Sequence, residues 1–283
     1  MTISELKSSF LTDLTKDYPC EEANSFFGLL AEAYLKMSRL QVSLNRDMKI
    51  SAADIEKFDR AKERLQKHEP IQHIIGETEF FDLKFKVNSN VLVPRPETEE
   101  LVQWILDDLT TEKGEIKLLD IGTGSGCIAV SLAKNLPEAK VFAIDISEGA
   151  LETARLNAQG NQVEISFSEK DILQVDQLDQ QFTHIVSNPP YVRELEKAEM
   201  HLNVLDYEPE RALYVKDENP LIFYRKITQL AQKALFPGGK LYFEINQYLG
   251  PETEKLLQEY GFTTELRKDI YGNFRMLKGV KET

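Results

Sequence analysis

From Ile116 to Ile245 the sequence alternates between two textures, and this alternation constrains the fold more than any other feature of the chain. Apolar runs of strand length (KLLDI, KVFAID, VEISFS, FTHIVSN and KLYFEI) are separated by helical patterns at Cys127 to Asn135, Ala150 to Ala158 and Leu221 to Leu235. Strands joined by helix-length crossovers pair in parallel, because a tight turn can join only antiparallel neighbours. The pattern predicts βαβ units in an α/β fold with a doubly wound, mostly parallel sheet and ligands outside the carboxyl ends of its strands. The tail adds FTTELRKD and, after Tyr271-Gly272-Asn273, FRMLKGV. Two runs this close must pair antiparallel, so the sheet is expected to end in a hairpin edge.

Residues 1–75 read as a small helical bundle. Leu6, Phe10 and Leu14, then Ala23, Phe26, Phe27, Leu30 and Tyr34, recur at three- and four-residue spacing. Pro19 separates the first two helices, and Ser51 is placed to cap a third. No catalytic constellation lies here, which leaves a stabilising cap or a partner-docking module. Over residues 76–93 the texture changes to β: Phe80, Phe81, Leu83, Phe85, Val87, Val91 and Val93 favour strands, with Asn88-Ser89-Asn90 as a turn. A β-hairpin linker is expected there, followed by a larger domain over 94–283. That domain starts with a helix from about Glu97 through Leu101, Trp104, Ile105 and Leu109, with Glu97, Glu99 and Glu100 in the first turn, where the helix dipole favours them.

Composition matters chiefly for what it excludes. With 283 residues the chain suits one ordinary domain and a smaller one. Two cysteines, Cys20 and Cys127, are too few for a disulfide framework or a zinc site. His68, His73, His184 and His201 show no metal-ligand spacing, so no metal is expected; His184 reads as a strand residue and the others as surface or loop residues. No secretory signal opens the chain, and no apolar run approaches the roughly 18 residues of a membrane span, so a cytoplasmic protein without membrane association is expected. Acidic residues outnumber basic ones 47 to 34, for a net charge of −13. Nucleic-acid binders draw much of their affinity from phosphate neutralisation, so this balance weighs against DNA or RNA as partner. Glu194, Glu196, Lys197 and Glu199 read as a solvated or partner-facing surface, and Pro237-Gly238-Gly239 as a turn into the fifth strand.

The run LLDIGTGSG sets a strand, Asp120, and then Gly122, Thr123, Gly124, Ser125 and Gly126 ahead of the helix CIAVSLAKNL. Glycine serves where backbone turns sharply and comes close to a ligand, and the helix N-terminus adds free N–H groups. The dinucleotide fingerprint G-x-G-x-x-G would require glycine at 127, where Cys127 stands. The tighter spacing fits the loop that S-adenosylmethionine enzymes place beside the methionine moiety. Asp145 closes the next strand at the distance where a carboxylate accepts from ribose hydroxyls. Asp171 is the analogous candidate for the adenine amino group, with Ile172 packing near the base.

The fourth run ends in Ser187-Asn188-Pro189-Pro190-Tyr191. Two prolines stiffen the turn and remove two N–H donors, which leaves carbonyls free to accept. A tip that accepts two hydrogen bonds from one NH₂ suits a planar amide or an exocyclic amine. Holding both N–H groups against the Asn188 side-chain oxygen and the Pro189 carbonyl turns the nitrogen lone pair toward a methyl donor and stabilises positive charge as it develops there. Tyr191 adds an aromatic face and a hydroxyl.

At these residues the chain resembles the class I methyltransferases and, among them, the PrmC (HemK) family of release-factor glutamine methyltransferases. The resemblance covers nearly the whole chain. It includes Pro94-Arg95-Pro96-Glu97-Thr98-Glu99, Gln72-His73-Ile74-Ile75-Gly76 and Tyr207-Glu208-Pro209 before Ala212-Leu213. It implies a seven-stranded catalytic domain, a hairpin linker and a helical N-terminal domain, and as substrate the glutamine of a Gly-Gly-Gln motif in peptide-chain release factors. It further implies conversion of S-adenosylmethionine to S-adenosylhomocysteine, and a monomer is expected. By carry-over, Gly122 to Gly126, Asp145, Ile172 and Asn188 contact the cofactor and Asn188 to Tyr191 hold the glutamine. Arg95 either builds the site wall or forms an ordinary Arg–Glu pair at a helix start. The chain departs from the family pattern at His73, where tyrosine is frequent, at Asn246, where glycine is common, and at Tyr214 to Asp217, which lack the usual glycines. Two other readings stand beside this one: an adenine-amino methyltransferase on DNA or RNA, and a non-catalytic cofactor-binding scaffold.

Overall fold

The computed structural model describes residues 1–110, 112–199 and 202–282; His201 lies outside the described residues. The chain forms two units, Met1–Gly76 with His201–Tyr207, and Glu77–Met200 with Glu208–Thr283.

The first unit carries α1 (Ile3–Leu14), α2 (Cys20–Leu30), α3 (Arg39–Leu44), α4 (Ala52–Leu65) and α5 (Ile71–Ile75). Its helices start where the residues dictate. Thr2 and Glu5 form a reciprocal capping box, Pro19 precedes α2, and the Ser51 side chain accepts the Asp54 N–H. Phe10, Phe27 and Phe58, each buried to 2% exposure or less, form the centre, with Phe10 edge-on to both of the other rings. The Tyr207 hydroxyl donates to the Lys67 carbonyl at 2.7 Å.

The second unit begins with an antiparallel hairpin, β1 (Glu77–Phe80) and β2 (Leu83–Lys86). Its turn is Phe81-Asp82, both left-handed (φ 50° and 59°), and not Asn88–Asn90. This two-residue form matches the twist of paired strands, and the Glu99 carboxylate fixes it by accepting the Phe81 N–H at 2.9 Å. Asn88 does make a turn, its side chain accepting the Asn90 N–H at 2.8 Å. The residues after it do not return as a strand; Val91 packs with Val87 and Ala150 instead.

There follow α6 (Pro96–Leu109), β3 (Lys117–Ile121), α7 (Cys127–Asn135), β4 (Lys140–Asp145), α8 (Glu148–Gly160), β5 (Ser166–Glu169), β6 (Phe182–Ser187) and β7 (Val192–Arg193). Then come α9 (Leu202–Tyr207, in the first unit), α10 (Glu210–Leu213), β8 (Tyr214–Val215), α11 (Ile222–Ala234), β9 (Leu235–Glu244), α12 (Gly250–Glu259), β10 (Phe262–Lys268) and β11 (Phe274–Lys281). Seven strands form one sheet in the order β10-β11-β9-β6-β3-β4-β5. From β9 to β5 the pairing is parallel, and β11 runs antiparallel to β9 and β10. This is the doubly wound, mostly parallel α/β sheet with a hairpin edge that the alternation predicts. Central β3 and β6 are buried on both faces, as strands covered by helices must be. One apolar layer packs α6, α7 and the hairpin against the sheet, and the other packs α11 and α12. Pro237-Gly238-Gly239 bulges within β9, where the register with β6 jumps between Phe182 and His184. No described helix is long and apolar enough to cross a membrane, and no group of three or more His, Cys, Asp or Glu among the described residues could hold a metal ion.

Candidate active site

The chain runs outward from β3 through β4 to β5 and then returns to place β6 on the other side of β3. The β3/β6 boundary is therefore the switch point, where the loops leaving two neighbouring strands diverge and open a crevice. A cavity of about 690 Å³ lies there. It is lined by the glycine loop after β3, by Asp145 after β4, by Asp171 and Ile172 after β5, and by Asn188, Pro189 and Pro190 after β6.

The glycine loop is held from both sides. Gly122 and Thr123 N–H groups donate to the Ile144 carbonyl at 2.8 and 3.1 Å, tying the loop to the end of β4. Asp145 accepts the Gly124 N–H at 2.8 Å through one carboxylate oxygen and the Ser147 N–H at 2.9 Å through the other. Gly122 and Gly124 have φ of +73° and +55°, and a Cβ at either would meet nothing within 4 Å. Gly126 serves packing instead. A Cβ there would lie 3.1 Å from Ala154 Cβ, so its absence lets α7 start against α8. Buried Asn157 of α8 donates to the Ser125 and Lys86 carbonyls and accepts the Lys86 N–H, which joins loop and hairpin.

Below the loop, Thr123 Oγ1 donates to Asp120 at 2.7 Å. Burial pushes the Asp120 carboxyl up to about 7, against the stabilising Thr123 hydrogen bond. Burial likewise pushes the Cys127 thiol up to about 12, so this cavity-lining sulfur keeps its proton. Ile172 presents a buried apolar surface, while one oxygen of Asp171 caps the next turn by accepting the Leu173 N–H at 3.0 Å.

The Asn-Pro-Pro tip lines the same cavity as the glycine loop. Asn188 Nδ2 faces Thr98 Oγ1 at 3.5 Å, and Thr98 donates to Glu244 at 2.6 Å. Tyr191 does not line the cavity; its hydroxyl donates to the other oxygen of Glu244 at 3.0 Å. Burial raises the Glu244 carboxyl, opposed by the Thr98 hydroxyl, the charge of Arg275 and the Tyr191 hydroxyl. Asn246, the residue at the glycine position, pins the tip from the segment after β9: its NH₂ donates to the Tyr191 carbonyl and to Glu196, each at 2.9 Å. Arg95 lines the cavity and donates to Glu208 at 2.6 Å, a carboxylate whose side chain is 1% exposed. The pair spans from the start of α6 to the segment before α10, so Arg95 is both a wall residue and half of an ion pair.

Profiles of known families match both parts of the chain. One described as "PrmC N-terminal domain" matches residues 8–76, and one described as "Methyltransferase small domain" matches residues 98–211. The release factor glutamine methyltransferase of Flavobacterium psychrophilum is 52% identical over 281 residues, covering 98% of this chain and 99% of that protein. The chain belongs to the release factor glutamine methyltransferase family. The protein of the same name in Bacteroides thetaiotaomicron is 46% identical, over 92% of this chain and 93% of that protein. Among solved structures, a methyltransferase from Pyrococcus furiosus shares the fold, with a TM-score of 0.53 over 72% of this chain and 91% of its own length at 20% identity.

Three residues at this site, Thr98, Glu208 and Glu244, are not announced as functional by local pattern. Thr98 and Glu208 sit inside stretches that carry the family resemblance but read locally as a helix start and a loop. Glu244 had a usable signal: a carboxylate at the carboxyl end of a central strand, directly after the apolar run Leu241-Tyr242-Phe243.

Proposed function

We propose that this chain transfers a methyl group from S-adenosylmethionine to the side-chain amide nitrogen of a glutamine, that of the Gly-Gly-Gln motif in peptide-chain release factors. One observation carries the reading: the glycine loop, Asp145 and the Asn188-Pro189 tip all line one cavity at the sheet's switch point.

The residues present fit the cofactor. Positive φ at Gly122 and Gly124, with open space where their Cβ atoms would stand, makes a cradle for close backbone approach. Asp145 keeps lone pairs for ribose hydroxyls beyond the two N–H groups it already accepts. Ile172 offers a flat apolar contact for the adenine, and Asp171 an acceptor for its amino group. When bound, S-adenosylmethionine supplies an electrophilic methyl group on a positively charged sulfur.

The chain's own residues bind and orient the nucleophile. An amide nitrogen is a poor nucleophile because its lone pair is delocalised. Asn188 Oδ1 and the Pro189 carbonyl accept its two N–H groups and so direct the lone pair along one axis. The same two oxygens stabilise positive charge as it develops on nitrogen. No strong base is needed, since the cationic product sheds its proton readily, and methyl transfer of this kind requires no metal. Tyr191 supports the tip through Glu244, and Arg95 with Glu208 supports the facing wall. The protein is read as acting in the cytoplasm, as a monomer, on a protein and not on nucleic acid.

The test is incubation with methyl-labelled cofactor. Label on a release factor, and none on its Gln→Ala variant, is the expected result. Label only on DNA or RNA would establish an adenine-amino methyltransferase, and binding without transfer to either substrate would leave a scaffold.

A further inference from the structure

The contacts behind the tip form a chain with a defined direction. Glu244, 1% exposed, receives Thr98 Oγ1 on one carboxylate oxygen at 2.6 Å and the Tyr191 hydroxyl on the other at 3.0 Å. A carboxylate that accepts from two hydroxyls has no hydrogen of its own to give. Thr98 thus spends its one hydroxyl hydrogen on Glu244, and its oxygen shows only lone pairs to Asn188. A lone pair can be met by the Asn188 NH₂ and not by the Asn188 carbonyl, which agrees with Nδ2 facing Thr98 at 3.5 Å. The Asn188 oxygen is left for the cavity.

From this we infer that Thr98 and Glu244 are positioning residues that fix which end of the Asn188 amide meets the substrate. This rests on the assignment of Asn188 as acceptor for the substrate nitrogen. An amide has nearly the same shape either way round, so packing against Pro189 cannot select its orientation; a hydrogen-bond partner of one fixed polarity can. With the relay intact, Asn188 presents an acceptor to an NH₂ that offers only donors. With it reversed, Asn188 presents its own NH₂, and donor faces donor. Tyr191 belongs to the same device: by occupying the second Glu244 oxygen it leaves the carboxylate as acceptor on both sides. Thr98 and Asn188 are 90 residues apart and Thr98 and Glu244 146 apart, so three separate segments meet at this point.

The test uses the full-length enzyme, S-adenosylmethionine labelled in its methyl group and a purified release factor. Thr98→Val keeps the shape and removes the acceptor. Glu244→Leu removes the acceptor that holds the Thr98 hydrogen, so that this hydrogen is released toward Asn188 Oδ1 and turns the amide over. Thr98→Ser keeps the hydroxyl. The expected result is a kcat loss of roughly tenfold or more in Thr98→Val and Glu244→Leu, the order seen when a reacting group is held in the wrong orientation. Affinity for S-adenosylhomocysteine stays within about threefold, which also shows that the variants are folded, and Thr98→Ser retains near-normal kcat. If Thr98→Val and Glu244→Leu turn over normally while Asn188→Ala is crippled, the positioning role is wrong and the reading of Asn188 stands. If Thr98→Ser is as poor as Thr98→Val, the residue acts through packing and the inference also falls. If Asn188→Ala itself is fully active, the underlying reading fails.

Discussion

Gly124 and Gly126 lie two residues apart in one loop, yet the structure gives them different roles, and alanine at each separates them. Both have positive φ, +55° and +80°, so either substitution costs about 1–2 kcal/mol of backbone strain. Alanine also lowers the entropy of the unfolded chain, which returns roughly 0.4–1 kcal/mol. At Gly124 the new methyl group meets nothing within 4 Å, so the net loss of stability should be near 1 kcal/mol. At Gly126 the methyl group falls 3.1 Å from Ala154 Cβ and 3.3 Å from Ala154 Cα, atoms of a packed helix that cannot swing aside. Overpacking of that kind adds roughly 1–3 kcal/mol, for a net loss of about 2–4 kcal/mol. Urea denaturation followed by fluorescence is suited to the measurement, because Trp104, the chain's one tryptophan, is buried in α6 of the unit that carries the loop. Calorimetric titration with S-adenosylhomocysteine supplies the other half. Gly124→Ala should lose about tenfold or more in affinity, because its methyl group enters the cavity, while Gly126→Ala should lose chiefly stability. Equal destabilisation by the two substitutions, or undiminished affinity in Gly124→Ala, would refute the division of labour.

Other expectations concern single groups. Asn188→Ala should leave cofactor affinity within about tenfold while lowering turnover by roughly two orders of magnitude or more, the scale of losing an oriented polar group; equilibrium binding and single-turnover rates measure the two separately. The Glu112 carboxyl is held down at about 2, chiefly by its hydrogen bond to His184 and also by Lys240, so its stabilising contribution is present above its ordinary value of 4.5 and is lost as pH falls toward 2. Glu112→Gln should therefore melt below the parent at pH 7, the gap closing between pH 4.5 and 2. Asp120 shows the opposite sign: raised from 3.8 to about 7, it costs the fold stability as pH climbs through that window. The melting-temperature difference of Asp120→Asn over the parent should rise from about pH 4 to pH 7, and a flat difference would show that the buried carboxyl does not titrate there.

The sheet was legible because each strand and its crossover announce themselves within a short stretch of sequence. KLLDI and FTHIVS each carry an adjacent apolar pair, Leu118-Leu119 and Ile185-Val186, that faces both sides of the sheet, and both strands proved buried on two faces. Gly122, Gly124, Asp145 and Asn188 were legible for the same local reason, since each lies at or directly after a strand end and strand tips meet at one edge. Contacts made across the sheet were not. Thr98 reaches Glu244 over 146 residues, and nothing near either one signals the other. Tyr191, expected from the resemblance to help hold the glutamine, was not legible in its contact: it is not among the cavity-lining residues, and its hydroxyl donates to Glu244. The hairpin turn was misplaced because Phe81-Asp82 lacks the Asn-Gly signature of a type I′ turn and depends on a carboxylate 18 residues away. The mixed charges of residues 194 to 199 likewise hid a specific contact: Glu196 is buried between Arg193 and Asn246.

The proposed function depends on a stiff, acceptor-rich tip that grips an NH₂ group beside the transferable methyl. A crystal structure of the protein with S-adenosylhomocysteine and a Gly-Gly-Gln peptide tests this most directly. The expected complex has the glutamine nitrogen within hydrogen-bond distance of both Asn188 Oδ1 and the Pro189 carbonyl, with its remaining side turned to the cofactor sulfur. A complex in which those two oxygens point away from the sulfur, or in which the glutamine lies elsewhere, would contradict it.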